Sequence, residues 1–389
     1  MENANKSKKN KRTLKQQIFN AIDTRHNFGR GRSKHQDKKN GANKKHNIIY
    51  SKTEYKALKD ITSDMCNWIK ETHPELWRSE LGKLPVEVCD EFLKSKADTC
   101  NQNSLSSYRS RLIKIFRCAD AVYKTADFSA METIRTPLSA LSEEAELRNI
   151  ALSREVMNAA LEQMDKKSGG YKGNLIASLI GGRVDEIAEI RGKDIDLNAG
   201  TLTIVKGKGS KKRTLTLAET QIEQLRPVLE GIKPGQKVCG CGADAIHQSL
   251  KRALGRLDRM HGTDFAQQLK DNKTNTHAVR KMVATEMYNE KVATAQQSYV
   301  IDAILTQIQR GAVPPEGIKT IQDLKRHVKD NFNELKDNYI DNKTLREIED
   351  VAWSETCVYL GHGEDRPELK EVYIIQDSTR ILSFNQLIF

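Results

Sequence analysis

No stretch of the sequence approaches 18 consecutive apolar residues, so nothing in it is expected to span a membrane. The N-terminus carries positive charge but no apolar core behind it, which argues against a secretory signal. Cysteine is sparse and unpatterned. Seven in 389 residues is an odd number without framework spacing, so reduced thiols in a cytosolic compartment are expected. Cys239-Gly-Cys241 is the sole close pair, and no second Cys or His pair follows at zinc-site spacing. An acidic cluster of the kind a metal-dependent nuclease or transposase uses is not evident. No metal and no cofactor is therefore expected. Internal repeats are also missing.

What the sequence does have is an uneven charge. Lys and Arg number 64 against 52 Asp and Glu, a net of +12. Residues 1–45 hold 14 of the basic residues and three of the acidic ones, a net of +11, so the rest of the chain is nearly neutral. A basic arm on a neutral body points to an anionic partner, most often nucleic acid. The length suggests two or three domains, and 38% hydrophobic residues suffice for real cores.

Residues 1–47 read as a basic, largely disordered arm, with Phe28 the one aromatic between Arg25 and Lys45. Within it Leu14, Ile18 and Ile22 recur every four residues, which predicts a short amphipathic helix that would be marginal alone. Residues 48–127 form a helical domain. Tyr55, Leu58, Ile61, Met65, Trp68 and Ile69 keep a helical period, Val86 to Leu93 give another helix, and Asn101 caps a third. Residues 128–141 read as a linker, and 142–389 as a larger domain. There Thr201 to Lys206 and Arg213 to Leu217 alternate polar and apolar residues across the basic turn Gly207-Lys-Gly-Ser-Lys-Lys212, a β-hairpin. The fold class is thus mainly α with a small antiparallel β-sheet.

The residues that carry chemistry lie in the second domain. Gly181-Gly182-Arg183 precedes Glu186, and the hairpin turn holds Lys208. Thr276-His277-Ala-Val-Arg280 places His277 and Arg280 on one helix face. Leu360-Gly361-His362 follows, then Tyr373. Each motif alone is weak, but the ordered series resembles the tyrosine recombinase (phage integrase) family over residues 142–377 and, more loosely, the helical segment before it. The resemblance implies a helical core-binding domain that forms, with the catalytic domain, a C-shaped clamp on duplex DNA. It implies cleavage by transesterification. A tyrosine oxygen attacks phosphorus, a 5′-hydroxyl leaves, and a 3′-phosphotyrosine stores the bond energy without ATP. The catalytic residues carried over are Arg183, Lys208, His277, Arg280, His362 and Tyr373. Two guanidiniums suit the charge on the non-bridging oxygens of a pentacoordinate phosphorus. His362 adds a donor, Tyr373 is the nucleophile, and His277 assists or orients. A lysine titrates near 10.4 when free, so Lys208 can deliver the proton that the 5′-alkoxide needs.

Lys206, Lys211 and Lys212 compete with Lys208 for that role, and Tyr359 competes with Tyr373. Lys206, Lys211, Lys212, Arg213 and Lys281 are candidate DNA contacts in the second domain, and Arg109, Arg111 and Lys114 in the first. Two departures from the family stand out. Tyr373 follows His362 by eleven residues where nine is usual, and Arg280 and His362 lie 82 apart. An insertion is expected over 290–345, with Ile321, Leu324, Val328, Phe332, Leu335 and Tyr339 on one long amphipathic helix. The apolar tail Ile381 to Phe389 is expected to dock on a neighbouring protomer.

The implied function is site-specific recombination for integration or excision of a mobile element. Duplex DNA, a homotetramer on it and accessory DNA-bending proteins are the implied partners. The expected location is the cytoplasm, with the nucleoid, in a prokaryotic or phage setting. Open alternatives are a type IB topoisomerase, a telomere-resolvase-like enzyme, and a DNA-binding architectural protein without catalysis.

Overall fold

The four-residue period of Leu14, Ile18 and Ile22 becomes helix α1 (Leu14–Arg25) in the computed structural model, started by a Thr13–Gln16 capping box. The structure describes residues 12–30, 34–141, 149–205, 207, 212–363 and 366–384. They fall in two units, 1–145 and 146–389. The first unit also holds α2 (Lys34–Lys39), α3 (Lys52–Thr72), α4 (Val86–Lys94) and α5 (Gln102–Val122). Polar caps start the two long helices: Ser51 accepts from the Glu54 amide, and Asn101 from that of Ser104.

Two boundaries differ from those expected. Leu14, Ile18, Ala21 and Ile22 are wholly buried among α3 and α5, so this part of the arm belongs to the core. Burying one Leu or Ile side chain is worth about 1.5–3 kcal/mol, which outweighs the marginal stability of an isolated short helix. The chain after α1 folds back as well: Arg25 donates to Asn47 Oδ1 at 2.7 Å. The expected linker over 128–141 is packed rather than free. Phe128, Met131 and Ile134, spaced by three, are buried in the same core. Residues 142–148, where the second domain was expected to begin, lie outside the described residues.

The second unit runs β1 (Ala151–Leu152), α6 (Arg154–Glu162), α7 (Gly169–Ile180), α8 (Val184–Glu189), β2 (Ile195–Asp196), β3 (Thr201–Ile204), β4 (Arg213–Thr216), α9 (Glu219–Leu229), α10 (Ala243–His261) and α11 (Phe265–Asp271). It continues with α12 (Thr276–Gln309), α13 (Ile321–Asp330), α14 (Phe332–Tyr339), α15 (Asn342–Tyr359), α16 (Lys370–Tyr373) and β5 (Ile381–Leu382). The expected hairpin is present. β2, β3 and β4 form an antiparallel sheet in that order, with Leu202 opposite Leu215 and Ile204 opposite Arg213. Leu202, Ile204 and Leu215 face the main core, while Thr203 and Thr214 pair their hydroxyls at 3.0 Å on the other face.

The segment 290–345, expected as an insertion, holds the far end of α12, two helices folded back on it and the start of α15. Val300 and Ile304 of α12 meet Leu324 and Val328 in a small separate core. The single long helix expected over 321–339 is instead broken at Asn331. Its side-chain amide donates to the His327 carbonyl at 3.0 Å, closing the last turn of α13. The C-terminal segment docks on its own unit. Ile381 and Leu382 pair in parallel with Ala151 and Leu152, and the Phe384 ring lies 5.0 Å from that of His261 and 5.6 Å from that of Phe265. Of the tail expected to dock on a neighbouring protomer, residues 381–384 make these contacts within their own unit, and residues 385–389 lie outside the described residues. Among the described residues no helix is long and apolar enough to cross a membrane.

Candidate active site

The site grows from the turn between α7 and α8. Gly181 ends α7 in the left-handed region, at φ +58°, and a Cβ there would stand 3.0 Å from Val283. Glycine is therefore required both by the backbone and by the approach of α12. Two residues on, Arg183 is the N-cap of α8. The Glu186 carboxylate, one turn later, accepts from the Arg183 backbone N–H at 3.3 Å and from its Nη1 at 2.9 Å. Arg213, at the start of β4, reaches the same carboxylate, with Nη2 donating to Oε2 at 2.7 Å and Nη1 to Oε1 at 3.3 Å. The Glu186 side chain is only 3% exposed. Burial alone would raise its pKa, but hydrogen bonds and charge from Arg213 and then Arg183 bring it down to about 2. It is an anion at neutral pH, shared by two guanidiniums.

Arg280, on the second turn of α12, is the largest wholly buried side chain among the described residues, at 1% exposure. Its Nη1 donates to the Gly181 carbonyl at 2.5 Å and its Nη2 to the Leu360 carbonyl at 2.7 Å. One guanidinium thus ties the α7–α8 turn to the end of α15. Burial lowers its pKa to about 10, so it remains charged at pH 7. Its Nε has no hydrogen-bond partner among the described residues. The backbone just before α12 is unusual. Asn275 has φ +45°, and Thr276 bonds through its hydroxyl to His247 Nδ1 at 3.0 Å.

His362 enters from the turn after α15, where Gly361 has φ +77° and the His362 amide donates to the Cys357 carbonyl at 3.0 Å. Its Nε2 lies 3.0 Å from Arg280 Nη2 and 3.4 Å from Arg183 Nη2. A guanidinium has donors only, so Nε2 accepts in this arrangement and the proton sits on Nδ1. The Tyr373 ring lies 4.9 Å from the His362 ring, and 5.3 Å from Cζ of Arg280.

Tyr373 is held from several sides. Pro367 starts a 3₁₀ turn that runs directly into α16. Trp353 Nε1 fixes the approach by donating to the Arg366 carbonyl at 3.1 Å. Lys370 pairs with Glu349 of α15 at 3.3 Å and lies 5.1 Å from the Tyr288 ring of α12. The Thr285 hydroxyl donates to the Tyr373 carbonyl at 3.4 Å and accepts from the Ile375 amide at 3.0 Å. Eleven residues after His362, the tyrosine still meets the histidine and the buried arginine. Tyr359, the competitor, packs between two hydrophobic clusters, and burial pushes its phenol up to about 12.

Residues 151–298 match the sequence model of the phage integrase family. The chain carries a phage integrase domain. No curated protein sequence matches the chain. Among solved structures, it is similar to the Tn1549 transposon integrase in complex with transposon right end DNA, at 15% identity over 88% of this chain and 100% of that one, with a TM-score of 0.48. It is also similar to the XerH site-specific recombinase bound to its difH substrate, at 16% identity over 86% and 93% of the two chains and a TM-score of 0.45. A third is a lambda integrase tetramer bound to a Holliday junction, at 15% identity over 72% and 74% and a TM-score of 0.45.

Of the six expected catalytic residues, the phage integrase domain and the segment after it bring together Arg183, Arg280, His362 and Tyr373. His277 is exposed on the first turn of α12, three residues before Arg280. Lys208 lies outside the described residues, as do Lys206 and Lys211, and Lys212 is exposed. Two expected DNA contacts of this unit have other roles. Arg213 is committed to Glu186, with its side chain 14% exposed. Lys281 is 3% exposed, because α12 is enclosed on all sides here: every residue from Ala278 to Thr285 is buried. In the first unit, Arg109 Nε donates to the Ile134 carbonyl at 2.5 Å. Lys114 donates to the Ile48 carbonyl at 2.7 Å and lies 3.8 Å from Glu54, and burial lowers its pKa. Both therefore serve the fold. Arg111 lies 6.0 Å from the Tyr108 ring, and no hydrogen bond engages it among the described residues. Sequence reasoning missed Thr285, Glu349, Trp353 and Lys370. Thr285 and Trp353 are buried and Glu349 and Lys370 partly so, and each meets its partner on a different segment of the chain.

Proposed function

We propose that the cluster cleaves and rejoins a DNA phosphodiester, with Tyr373 as the nucleophile. The chain is a tyrosine site-specific recombinase by its phage integrase domain, and one observation carries the finer assignment. Arg183 and Arg213 share the single carboxylate of Glu186, and Arg183 and the wholly buried Arg280 converge with His362 beside the Tyr373 ring. The excess positive charge suits an anion with several oxygens, and the phenol stands beside the place where that anion would sit.

In the step we propose, Tyr373 Oη attacks phosphorus as the P–O5′ bond breaks. The phenol proton passes to water as attack proceeds, and the departing O5′ takes a proton from Lys208. Arg183 and Arg280 neutralise the non-bridging oxygens. His362 gives up its present acceptor role toward the arginines and donates to the same oxygens. The reverse steps rejoin the strand. Each protomer has one Tyr373, and exchange between two duplexes breaks four strands, so the active assembly is four protomers on DNA. Arg111 in the first unit is the candidate contact for a second DNA-binding module, and accessory DNA-bending proteins complete the complex. Integration or excision of a mobile element, on nucleoid DNA in the cytoplasm, is the role we assign.

The test begins by recovering a bound site from a random duplex library. A nicked duplex of that site, incubated with the chain in EDTA, should trap a covalent adduct with a free 5′-hydroxyl. Tyr373→Phe should abolish it. An adduct that survives in the Phe variant, or no adduct on a verified site, would refute the assignment.

A further inference from the structure

Arg213 does more than balance a charge. It is the first residue of β4 and stands opposite Ile204 on the last rung of the hairpin ladder. Its guanidinium lies flat against the Gly361 Cα. A Cβ built there would stand 2.7 Å from Nη1, 2.8 Å from Cζ and 3.1 Å from Nε. Three segments that are far apart in sequence therefore meet on one planar group. These are the Arg183–Glu186 box, the end of the β-hairpin and the turn that carries His362. Its Nε is buried with no partner among the described residues, a cost that only a closely fixed guanidinium would carry.

We propose that Arg213 is a positioning residue for strand cleavage. It fixes the Glu186 carboxylate, which in turn aims the Arg183 guanidinium at the phosphate. Its flat face sets the height of the Gly361 turn, and so the place of His362. Glu186 offers two oxygens. With Arg213 on both, Arg183 is held through one Nη, and its other Nη faces His362. Without Arg213, the carboxylate loses both hydrogen bonds from β4, and its oxygens compete for both ends of Arg183, drawing that donor away from the substrate oxygens. The same contact explains Gly361. Its φ of +77° already favours glycine, and the guanidinium leaves no space for a methyl group.

This inference rests on the recombinase reading, and the experiment separates the two. Cleavage rates are measured on a scissile phosphodiester and on a methylphosphonate, in which one charged non-bridging oxygen is replaced by methyl. Wild type must first form its adduct on the phosphodiester; if it does not, the recombinase reading fails and takes this proposal with it. If it does, Arg213→Gln should slow cleavage about 100-fold, as loss of one aligned donor does. On the methylphosphonate its deficit should shrink to within about tenfold, in step with Arg183→Gln, because less charge is left for Arg183 to neutralise. Arg213→Lys should fall between Gln and wild type. An equal deficit on both substrates would mean a merely structural role and overturn the proposal, as would an unchanged rate.

A second arm uses the phosphodiester alone. Gly361→Ala displaces the guanidinium, so the double variant Arg213→Gln, Gly361→Ala should lose less than the product of the two single losses. Fully multiplicative losses would overturn the contact as the positioning device.

Discussion

Glu186 offers the sharpest physical prediction, because its pKa and its burial make one quantitative claim. Its carboxylate falls from an ordinary 4.5 to about 2 in the folded protein. At 1.36 kcal/mol per pKa unit that drop corresponds to about 3 kcal/mol of stabilisation at neutral pH. Because the folded value lies below the unfolded one, the stabilisation is fully present above about pH 4.5 and is lost as pH falls toward 2. Glu186→Gln keeps the shape and removes the charge, leaving two guanidiniums face to face around a neutral amide. The variant should therefore be about 3 kcal/mol less stable than wild type at pH 6, with a gap of about 1.5 kcal/mol at pH 3. The assay needs a reporter confined to the second unit. Trp68 and Trp77 lie in the first and Trp353 in the second, so a Trp68→Phe, Trp77→Phe background leaves one buried indole beside the site. Urea titrations followed by that indole at the two pH values give the gap directly. A gap that stays the same between pH 6 and pH 3, or that is below about 1 kcal/mol at pH 6, would refute the claim that ionised Glu186 is held by its two arginines.

Ile18→Ala should cost the first unit about 2–5 kcal/mol, read from Trp68 and Trp77 fluorescence, because α1 is core; a free arm would lose nothing. Deleting residues 1–11 removes four lysines and one glutamate, and each lost phosphate contact should flatten the log–log salt dependence of DNA binding by about 0.9. Arg280→Lys cannot reach both the Gly181 and Leu360 carbonyls, and its adduct formation should fall by about 100-fold or more while filter binding to duplex is retained. Lys370→Met frees α16 from Glu349 and should slow cleavage about tenfold, with duplex affinity within about twofold of wild type.

The sequence made the helical periods of α1, α3, α4 and α5 visible because each buries one stripe of apolar residues at a regular interval. The hairpin was visible for the same reason, with period two. What hid was whatever depends on tertiary contact. Leu14 to Ile22 looked like part of a charged arm because their partners on α3 and α5 are more than thirty residues away. Lys281 looked like a surface lysine because periodicity cannot reveal that α12 is enclosed on all sides at that height. Four catalytic candidates could be picked out by their order along the chain. The role of Arg213 could not, since a basic residue beside a basic turn reads first as a phosphate contact. Asn331, which ends α13, interrupts a pattern of Ile, Leu, Val, Phe and Tyr that otherwise continues unbroken, so only its side-chain bond to His327 reveals the break.

Lys370 ties the chain to Glu349 just before Tyr373, Thr285 holds it at the Tyr373 carbonyl and the Ile375 amide, and eight residues after the tyrosine Ile381 is stitched into β1 of the same unit. The proposed nucleophile is thus a bead on a short cord knotted at both ends. A DNA strand joined to it would be carried by its own protomer, and any pull on that strand would pass into α12 and β1 rather than into a loose end. To lend the tyrosine to another protomer, the chain would first have to unpick β5. Under the function proposed above, each subunit would be the keeper of the strand it cuts.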